Sequence, residues 1–279
     1  MHRGRHAVRR VISAVSAGAV IGAGALAAAP ASAGTPRTDG STIQGRPGGV
    51  LAGTWEGSYT CGQGLTGLDL RIQRPGPHGS LQATFSFYPL TKNPAVPVGV
   101  FTMRGTYHSA TRIVLRYRRW ILRPAGYFMA SLSGRLSAGR FHGAVHIGPG
   151  GVPCTTFSAR KLTRAHTRRA VLGTWKGSYQ GCAQGPTGLT LAIKPRGATG
   201  NRLRATFSFH ALPGNPGVPS GSYAMTGFYF PGGVALDQSH WIIQPPGYGM
   251  VNLVGSPPRG RSWNGVIVDC STFSIRKKS

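Results

Sequence analysis

Hydrophobic and polar residues alternate with a period of two along much of the chain after residue 50. Leu203, Ala205 and Phe207, for example, are separated by Arg204 and Thr206. Gly and Pro interrupt such runs about every ten residues, and no stretch after the N-terminal segment keeps a helical period over three turns. The pattern therefore predicts short antiparallel strands.

The sequence between residues 51 and 279 contains two copies of one domain. Five segments recur in the same order with nearly the same spacing, which indicates a duplication. Each copy has roughly 110 residues, enough for an independent domain. The predicted division is a first repeat at 51–161, a basic linker at 162–170 and a second repeat at 171–279. The repeated segments are 51–59 with 171–179, 83–87 with 205–209, 93–97 with 215–219, 120–127 with 241–248, and 154–158 with 270–274.

Eight strands are predicted in each copy. Successive strands with short connections are typical of an up-and-down barrel or a sandwich. We expect an all-β protein made of two tandem, small antiparallel β-barrels, with a sandwich as the second choice. In the first copy the predicted strands are 53–60, 67–73, 80–88, 99–107, 112–122, 127–134, 140–147 and 154–161.

The four cysteines support the barrel. Cys61 follows the first predicted strand and Cys154 opens the eighth, and Cys182 and Cys270 repeat this arrangement. In a closed meander the first and eighth strands are neighbours, so a bond within each copy would lock the seam. Four cysteines allow three pairings, and the pairing within copies is favoured because duplication copies a bridge whole. Free buried thiols are the alternative, which an exported chain disfavours.

A Gly-x-Trp motif opens both copies, as Gly53-Thr-Trp55 and Gly173-Thr-Trp175. It resembles the first-strand motif of the calycin-type barrels, the lipocalin and avidin group. The resemblance implies an eight-stranded barrel with a ligand in its mouth.

The N-terminus predicts export. Residues 1–33 read as a signal peptide: a basic n-region, an apolar stretch over 11–29 and an A-x-A cleavage site at 31–33. An uncleaved membrane anchor is the alternative. Arg9-Arg10 raises the twin-arginine route, which the sequence does not separate from general secretion. Residues 34–50 read as a flexible Gly/Thr/Pro tail, and we expect a secreted protein that cell-wall contacts retain.

The chain is strongly basic, with 32 Lys and Arg against 5 Asp and Glu. Without the signal peptide the formal charge is +23, of which +11 lies in 51–161 and +8 in 171–279. Such a field attracts polyanions. The alternative is plain composition, since 26 arginines stand against 6 lysines. Anionic wall polymers or glycans are the predicted partners, with nucleic acid bound only non-specifically.

Reacting groups that serve both copies should recur in both, and the acids do not. Glu56 aligns with Lys176 and Asp69 with Thr190. A two-carboxylate glycosidase site is therefore poorly supported, and no metal-ligand spacing, nucleophile elbow or phosphate loop is present. We predict no catalytic residues, no metal and no cofactor. An enzyme with a single active site in one repeat is the second alternative.

The loops at one end of the predicted barrel recur in both copies, whereas those at the other end differ. One explanation is ordinary turn chemistry at a rim pinned by the disulfide. The functional hypothesis is a ligand-binding rim for a glycan or peptide, because binding residues tend to lie on loops held by a rigid scaffold. Trp55, Trp120, Trp175 and Trp241 could line the mouth or belong to the core. The rim candidates are Gln63, Thr66, Asn93, Tyr127, Gln184, Thr187, Asn215 and Tyr248.

An arginine run in the first copy surrounds Tyr117 and Trp120. Arginines among aromatic residues can hold anions, although such a run is also typical of a solvated strand face. The corresponding region of the second copy contains Asp237 and Ser239 instead. The anion-binding candidates are Arg112, Arg116, Arg118, Arg119 and Arg123.

These observations predict a secreted, cationic, non-enzymatic binding protein of the bacterial cell envelope. A secreted inhibitor of a wall hydrolase or protease is the main alternative, because a disulfide-locked barrel presents rigid loops.

Overall fold

The computed structural model describes residues 50–148, 153–163, 168–180, 182–197 and 201–279. The predicted signal peptide and all but the last residue of the predicted tail lie outside these ranges, as do 164–167 of the predicted linker.

The first repeat forms a closed barrel of eight antiparallel strands. Each strand pairs with the next, and the first also pairs with the eighth, which joins Tyr59 to Phe157 across the seam. Closure confirms the predicted barrel and excludes the sandwich. The strands are β1 (Gly53–Cys61), β2 (Gly64–Ile72), β3 (Ser80–Tyr88), β4 (Gly99–Ser109), β5 (Arg112–Leu122), β6 (Ala130–Ser137), β7 (Arg140–Ile147) and β8 (Thr156–Lys161).

The second repeat closes in the same order, with its first strand paired to its last. Its strands are β9 (Gly173–Tyr179), β10 (Thr187–Pro195), β11 (Arg202–His210), β12 (Gly221–Phe230), β13 (Gly233–Ile243), β14 (Leu253–Gly255), β15 (Ser262–Ile267) and β16 (Ser271–Lys277).

The alternation in the sequence places one row of side chains inside each barrel, because successive strand residues point to opposite faces. Trp55 and Trp175 are buried near the end of the barrel where the chain enters. Their indole Nε1 atoms donate hydrogen bonds to the carbonyl oxygens of Leu51 and Val171, each at 2.8 Å. The repeated segment that opens each copy thus closes this end of the barrel.

Disulfides close the opposite end. Cys61 pairs with Cys154 and Cys182 with Cys270, within each copy as predicted, over sequence separations of 93 and 88 residues. Cys61 is the last residue of β1 and Cys182 lies three residues after the end of β9, and each is bonded to a cysteine just before the last strand of its barrel. We call this end the mouth.

Two strands of the first barrel begin three residues away from their predicted first residue, and several other boundaries differ by one to three residues. β2 begins at Gly64 rather than 67, because a two-residue turn follows β1. β6 begins at Ala130 rather than 127, because a turn in which the Tyr127 N–H bonds to the Pro124 carbonyl precedes it. β5 and β6 consequently pair over only three residues, 113–115 with 132–134, and the segment 123–129 crosses the mouth.

The two barrels contact each other through a small apolar cluster on their outer surfaces. Tyr88 and Val98 of the first barrel pack against Phe230 and Ala235 of the second. Leu90, Val100, Leu122 and Phe228 border this cluster.

The contact uses different faces of the two copies. The strand registers align Tyr88 with His210 and Val98 with Ser220, which are both exposed in the second barrel. They likewise align Phe230 with His108, which is exposed in the first barrel. The positions that form the contact in one barrel are therefore polar and exposed in the other.

Candidate functional site

The structure brings two of the predicted rim residues, Gln63 and Tyr127, to one cavity in the mouth of the first barrel. The cavity has a volume of ≈ 270 Å³. We call it the mouth cavity. It is lined by Tyr59, Cys61, Gly62, Gln63, Phe85, Phe87, Phe101, Gly126, Tyr127, Phe128, Ala130 and Ile147.

A polar cluster lies on one side of the mouth cavity. Gln63 Nε2 lies 3.2 Å from the Tyr59 hydroxyl and 3.3 Å from Thr66 Oγ1, and Thr66 donates a hydrogen bond to the Gly64 carbonyl. Thr66 is fully buried, so it lies beneath the rim. Burial raises the pKa of Tyr59, so its hydroxyl stays protonated well above neutral pH. The cluster supplies amide and hydroxyl groups to a largely aromatic cavity.

Asn93 braces this rim from outside. Its Nδ2 atom donates hydrogen bonds to the carbonyl oxygens of Gln63, at 2.6 Å, and Leu65, at 3.1 Å. Both amide protons of the side chain are thereby used. Asn215 makes the same pair of bonds in the second barrel, to the carbonyls of Gln184 and Pro186. These two predicted rim residues hold the β1–β2 and β9–β10 turns in place.

Aromatic rings form the other side of the mouth cavity. Tyr127 stacks on Phe87 with a centroid distance of 5.5 Å, and Trp120 meets Phe87 and Phe101 edge-on. Burial raises the pKa of Tyr127 as well. Phe128 lines the cavity with 53% of its surface exposed. It therefore offers a ring that a ligand could cover.

The second barrel repeats the frame of this mouth. Gln184 donates a hydrogen bond to the Tyr179 hydroxyl at 3.0 Å, and Tyr248 stacks on Phe209 with centroids 5.4 Å apart. Thr187 is buried and donates to the Gly185 carbonyl. The rim candidates of this copy thus occupy the same places as those of the first.

One wall differs between the mouths. Tyr223 stands where the first barrel has Phe101, and its hydroxyl donates to the Val251 carbonyl at 3.1 Å. Gly249 stands where the first barrel has Phe128. The exposed ring at the first mouth has no counterpart at this position of the second.

Two residues of the mouth cavity were missed by the sequence analysis. Tyr59 recurs as Tyr179, but it belongs to a strand that the pattern assigns to the core. Phe128 does not recur in the second repeat, so a pattern of shared residues gives no signal for it. The predicted tryptophans have two different locations. Trp55 belongs to the core, whereas Trp120 packs beside the mouth.

The structure separates the five arginines of the predicted anion site. Arg118 and Arg119 lie with Arg104 in a groove of ≈ 340 Å³ on the outer surface. Arg116 is the strand partner of Arg104.

The other two arginines lie elsewhere. Arg112 lines a different surface groove with Arg135 and His142, and Arg123 is an exposed residue after the end of β5. The run in the sequence is therefore not one site.

Two carboxylates that the sequence analysis set aside lie opposite each other on β1 and β2. Glu56 is ion-paired with Arg160 at 3.5 Å and Asp69 with Arg71 at 3.3 Å. Tyr88 lies beside both acids, and Asp69 is only 1% exposed. Burial raises the pKa of Asp69. The pair lies next to the contact between the barrels, where a substrate has no access to Asp69.

Within the described ranges, no group of three or more His, Cys, Asp or Glu side chains is placed to hold a metal ion. No helix in the same ranges has the length and apolar character needed to cross a membrane.

Comparison with protein-family models and with curated proteins gives no match. Among solved structures, the chain is similar to a protein of unknown function from the DUF3598 family of Nostoc punctiforme. The two are 13% identical, and the alignment covers 82% of this chain and 97% of that one with a TM-score of 0.25.

Proposed function

We propose that the protein is a secreted, non-enzymatic binding protein of the bacterial cell envelope, and that the mouth cavity of its first barrel takes a sugar ring of an envelope glycan. The observation that carries the proposal is the cavity itself. It combines a disulfide-pinned rim, an exposed aromatic ring at Phe128 and the amide of Gln63.

Size and chemistry both support a ring-sized, uncharged group. Ligand pockets have volumes of about 300–1,000 Å³, and the mouth cavity lies just below that range at ≈ 270 Å³. Among the described residues that line it there is no acidic or basic side chain. Aromatic faces cover the apolar face of a sugar, while the amide of Gln63 and the hydroxyls of Tyr59 and Tyr127 match its hydroxyl groups.

Positive charge would hold the protein at the envelope. The acids of the first repeat, Glu56 and Asp69, are both ion-paired with arginines, so its remaining basic residues face solvent largely unopposed. Contacts of that kind release counterions and weaken steeply with salt. The two disulfides are compatible with an extracellular protein.

The test is a pull-down of the mature chain on purified bacterial cell walls, across a salt series, with and without prior extraction of the anionic polymers. Binding to extracted walls at high salt isolates the mouth. There Phe128→Gly, which introduces the residue found in the second barrel, should weaken binding about fivefold to tenfold through loss of ring contact. The matched control is Ile121→Ala, an equally exposed residue outside the cavity, which should leave binding unchanged.

Equal loss in both variants would reject the mouth as the binding site. Competition by wall peptides but not by wall glycans would replace the sugar with a peptide side chain. Absence of binding under every condition would reject the envelope function and favour an inhibitor of a wall hydrolase or protease.

A further inference from the structure

The fifth strand of each barrel carries a β-bulge at the same place. In the first barrel Thr102 pairs with Arg119 and Met103 with Tyr117, which leaves Arg118 as the extra residue. In the second, Ala224 pairs with His240 and Met225 with Gln238, which leaves Ser239. Bulges re-aim side chains and sharpen the local bend of a strand.

Each bulge lies at a groove on the outer surface that spans the second to fifth strands of its barrel. We call these the first and second outer grooves, with volumes of ≈ 340 Å³ and ≈ 550 Å³. The first is lined by Gln73, Gln82, Ala83, Thr84, Thr102, Met103, Arg104, Arg118 and Arg119. The second is lined by Ala192, Lys194, Arg196, Arg204, Ala205, Thr206, Ala224, Met225, Thr226, Ser239 and His240.

The bulge places two consecutive arginines in the first outer groove. In a regular strand Arg118 and Arg119 would point to opposite faces, one of them into the barrel. Here both are exposed and line the groove opposite Arg104. Thr84 and Thr102 add hydroxyl groups between the walls. The described residues that line this groove include no carboxylate.

The second outer groove is also positively charged, but its basic residues come from other strands. Lys194 and Arg204 are direct partners across β10 and β11, and Arg196 lies beside them. Lys194 occupies the position of the neutral Gln73 in the first barrel, and Arg204 that of Gln82. Asp237, the strand partner of Thr226, lies next to the groove without lining it, which leaves an excess of cations.

We infer that the two outer grooves are anion-binding sites for a phosphodiester polymer that carries no bases. Guanidinium groups with neighbouring hydroxyls match phosphate oxygens, and Arg binds them in a two-pronged geometry. Proteins that hold single-stranded nucleic acid add aromatic platforms for the bases, and among the described residues that line the grooves there is no Phe, Tyr or Trp. The inference rests on the proposed envelope function, since it names the anionic polymer that the protein would meet there.

The test titrates labelled poly(glycerol phosphate) with the mature chain over a range of salt concentrations. The other repeat supplies substitutions that the fold accepts. Arg118→Ser with Arg119→His introduces the residues of the second barrel, and Lys194→Gln with Arg204→Gln introduces those of the first. Each double variant should weaken binding about tenfold, and the slope of log affinity against log salt should fall by about 1 to 2. Should the first pair melt early, Arg104→Thr is the alternative variant for that groove.

The matched control removes two exposed arginines outside the grooves, by Arg123→Gln with Arg140→Ser, again with the residues of the second barrel. It should change the affinity less than twofold. A control that loses as much as the groove variants would show diffuse charge and overturn the inference.

Two further outcomes would also overturn it: tighter binding of single-stranded DNA than of poly(glycerol phosphate) at equal phosphate concentration, or no binding of the polymer at all. The mouth, tested on walls stripped of such polymers, can succeed or fail independently of the grooves.

Discussion

The ring of Tyr88 in the first barrel stacks on the ring of Phe230 in the second, with centroids 4.3 Å apart and planes within 6° of parallel. Both side chains project outward from their own barrels and are buried by the contact. Each has a histidine as its counterpart in the other repeat. The duplicated domains are therefore joined by residues that the two repeats do not share.

Removing the ring of Phe230 should destabilise the docked pair. We expect Phe230→Ala to cost about 3 kcal/mol of unfolding free energy, because a fully buried ring leaves a cavity between the barrels. Denaturant unfolding measures the loss, and small-angle scattering reports separation of the barrels. Ile243→Ala, at a residue 61% exposed, is the control and should cost less than about 0.5 kcal/mol. Similar losses in the two variants would contradict the docking.

Asp69 should make stability depend on pH in the direction opposite to most carboxylates. Burial raises its pKa, with Glu56 acting in the same direction and Arg71 opposing both. The native state then holds the proton more tightly than the unfolded chain does. Stability is therefore full below the ordinary Asp pKa and falls as the pH rises through the higher native pKa.

Asp69→Asn mimics the protonated acid, and it should be more stable than the wild type at pH 7. The difference should shrink as the pH falls to the ordinary Asp range. Thermal unfolding of both proteins across that range measures it. Asp269→Asn, at an exposed position, is the matched control and should run parallel to the wild type. A variant that is less stable than the wild type at pH 7 would mean that the ion pair with Arg71 outweighs the burial.

Equivalent glycines of the two repeats should tolerate alanine differently. A Cβ atom at Gly67 would overlap the ring of Tyr88, and one at Gly188 would overlap the ring of His210. Tyr88 is held beneath Phe230, whereas His210 is exposed and free to turn away. Gly67→Ala should cost about 1–3 kcal/mol, and Gly188→Ala less than about 1 kcal/mol. Chemical unfolding of the two variants side by side measures the difference, and equal costs would count against a fixed Tyr88.

The two disulfides should contribute nearly equally. The bonds close loops of 93 and 88 residues. In the chain-entropy account, each lowers the conformational entropy of the unfolded chain and so stabilises the folded state by about 4 kcal/mol. Cys61→Ala with Cys154→Ala and Cys182→Ala with Cys270→Ala should therefore give similar losses in urea unfolding. A loss twice as large in one repeat would show that the entropy of the loop is not the main contribution.

Local patterns were sufficient to predict the strands. Leu203, Ala205 and Phe207 face the interior because alternation admits one buried face, and the first-strand and eighth-strand cysteines marked the seam. Boundaries near Gly and Pro were less well predicted, as at β6, where the turn that begins at Pro124 delays the strand to Ala130. Turn geometry there depends on packing across the mouth, which the local sequence does not contain.

The candidate sites show the same division. Gln63 and Tyr127 were correctly expected at one end of the barrel, because an up-and-down topology brings those loops together. Phe128 was missed since it is not repeated, and the cations of the second outer groove were missed since Lys194 and Arg204 lie on different strands from Arg118 and Arg119. Aligning the two repeats residue by residue detects side chains that both share. It does not detect a positive charge that both grooves have but that different strands supply.

The sequence by itself determined the duplication, the alternation that makes every strand, and the pairing of the cysteines, because these depend on short-range periodicity and on the order of strands in a closed meander. Only the tertiary structure decided which outward residues meet. Asp69 and Tyr88 look like surface positions in the pattern, yet they are buried beside the second barrel. The bulges at Arg118 and Ser239 likewise turn consecutive side chains to one face. The burial of Asp69 and Tyr88 and the two bulges both depend on contacts between strands and between domains. Such contacts join residues that are close in space but far apart along the chain, so the local sequence pattern does not reveal them.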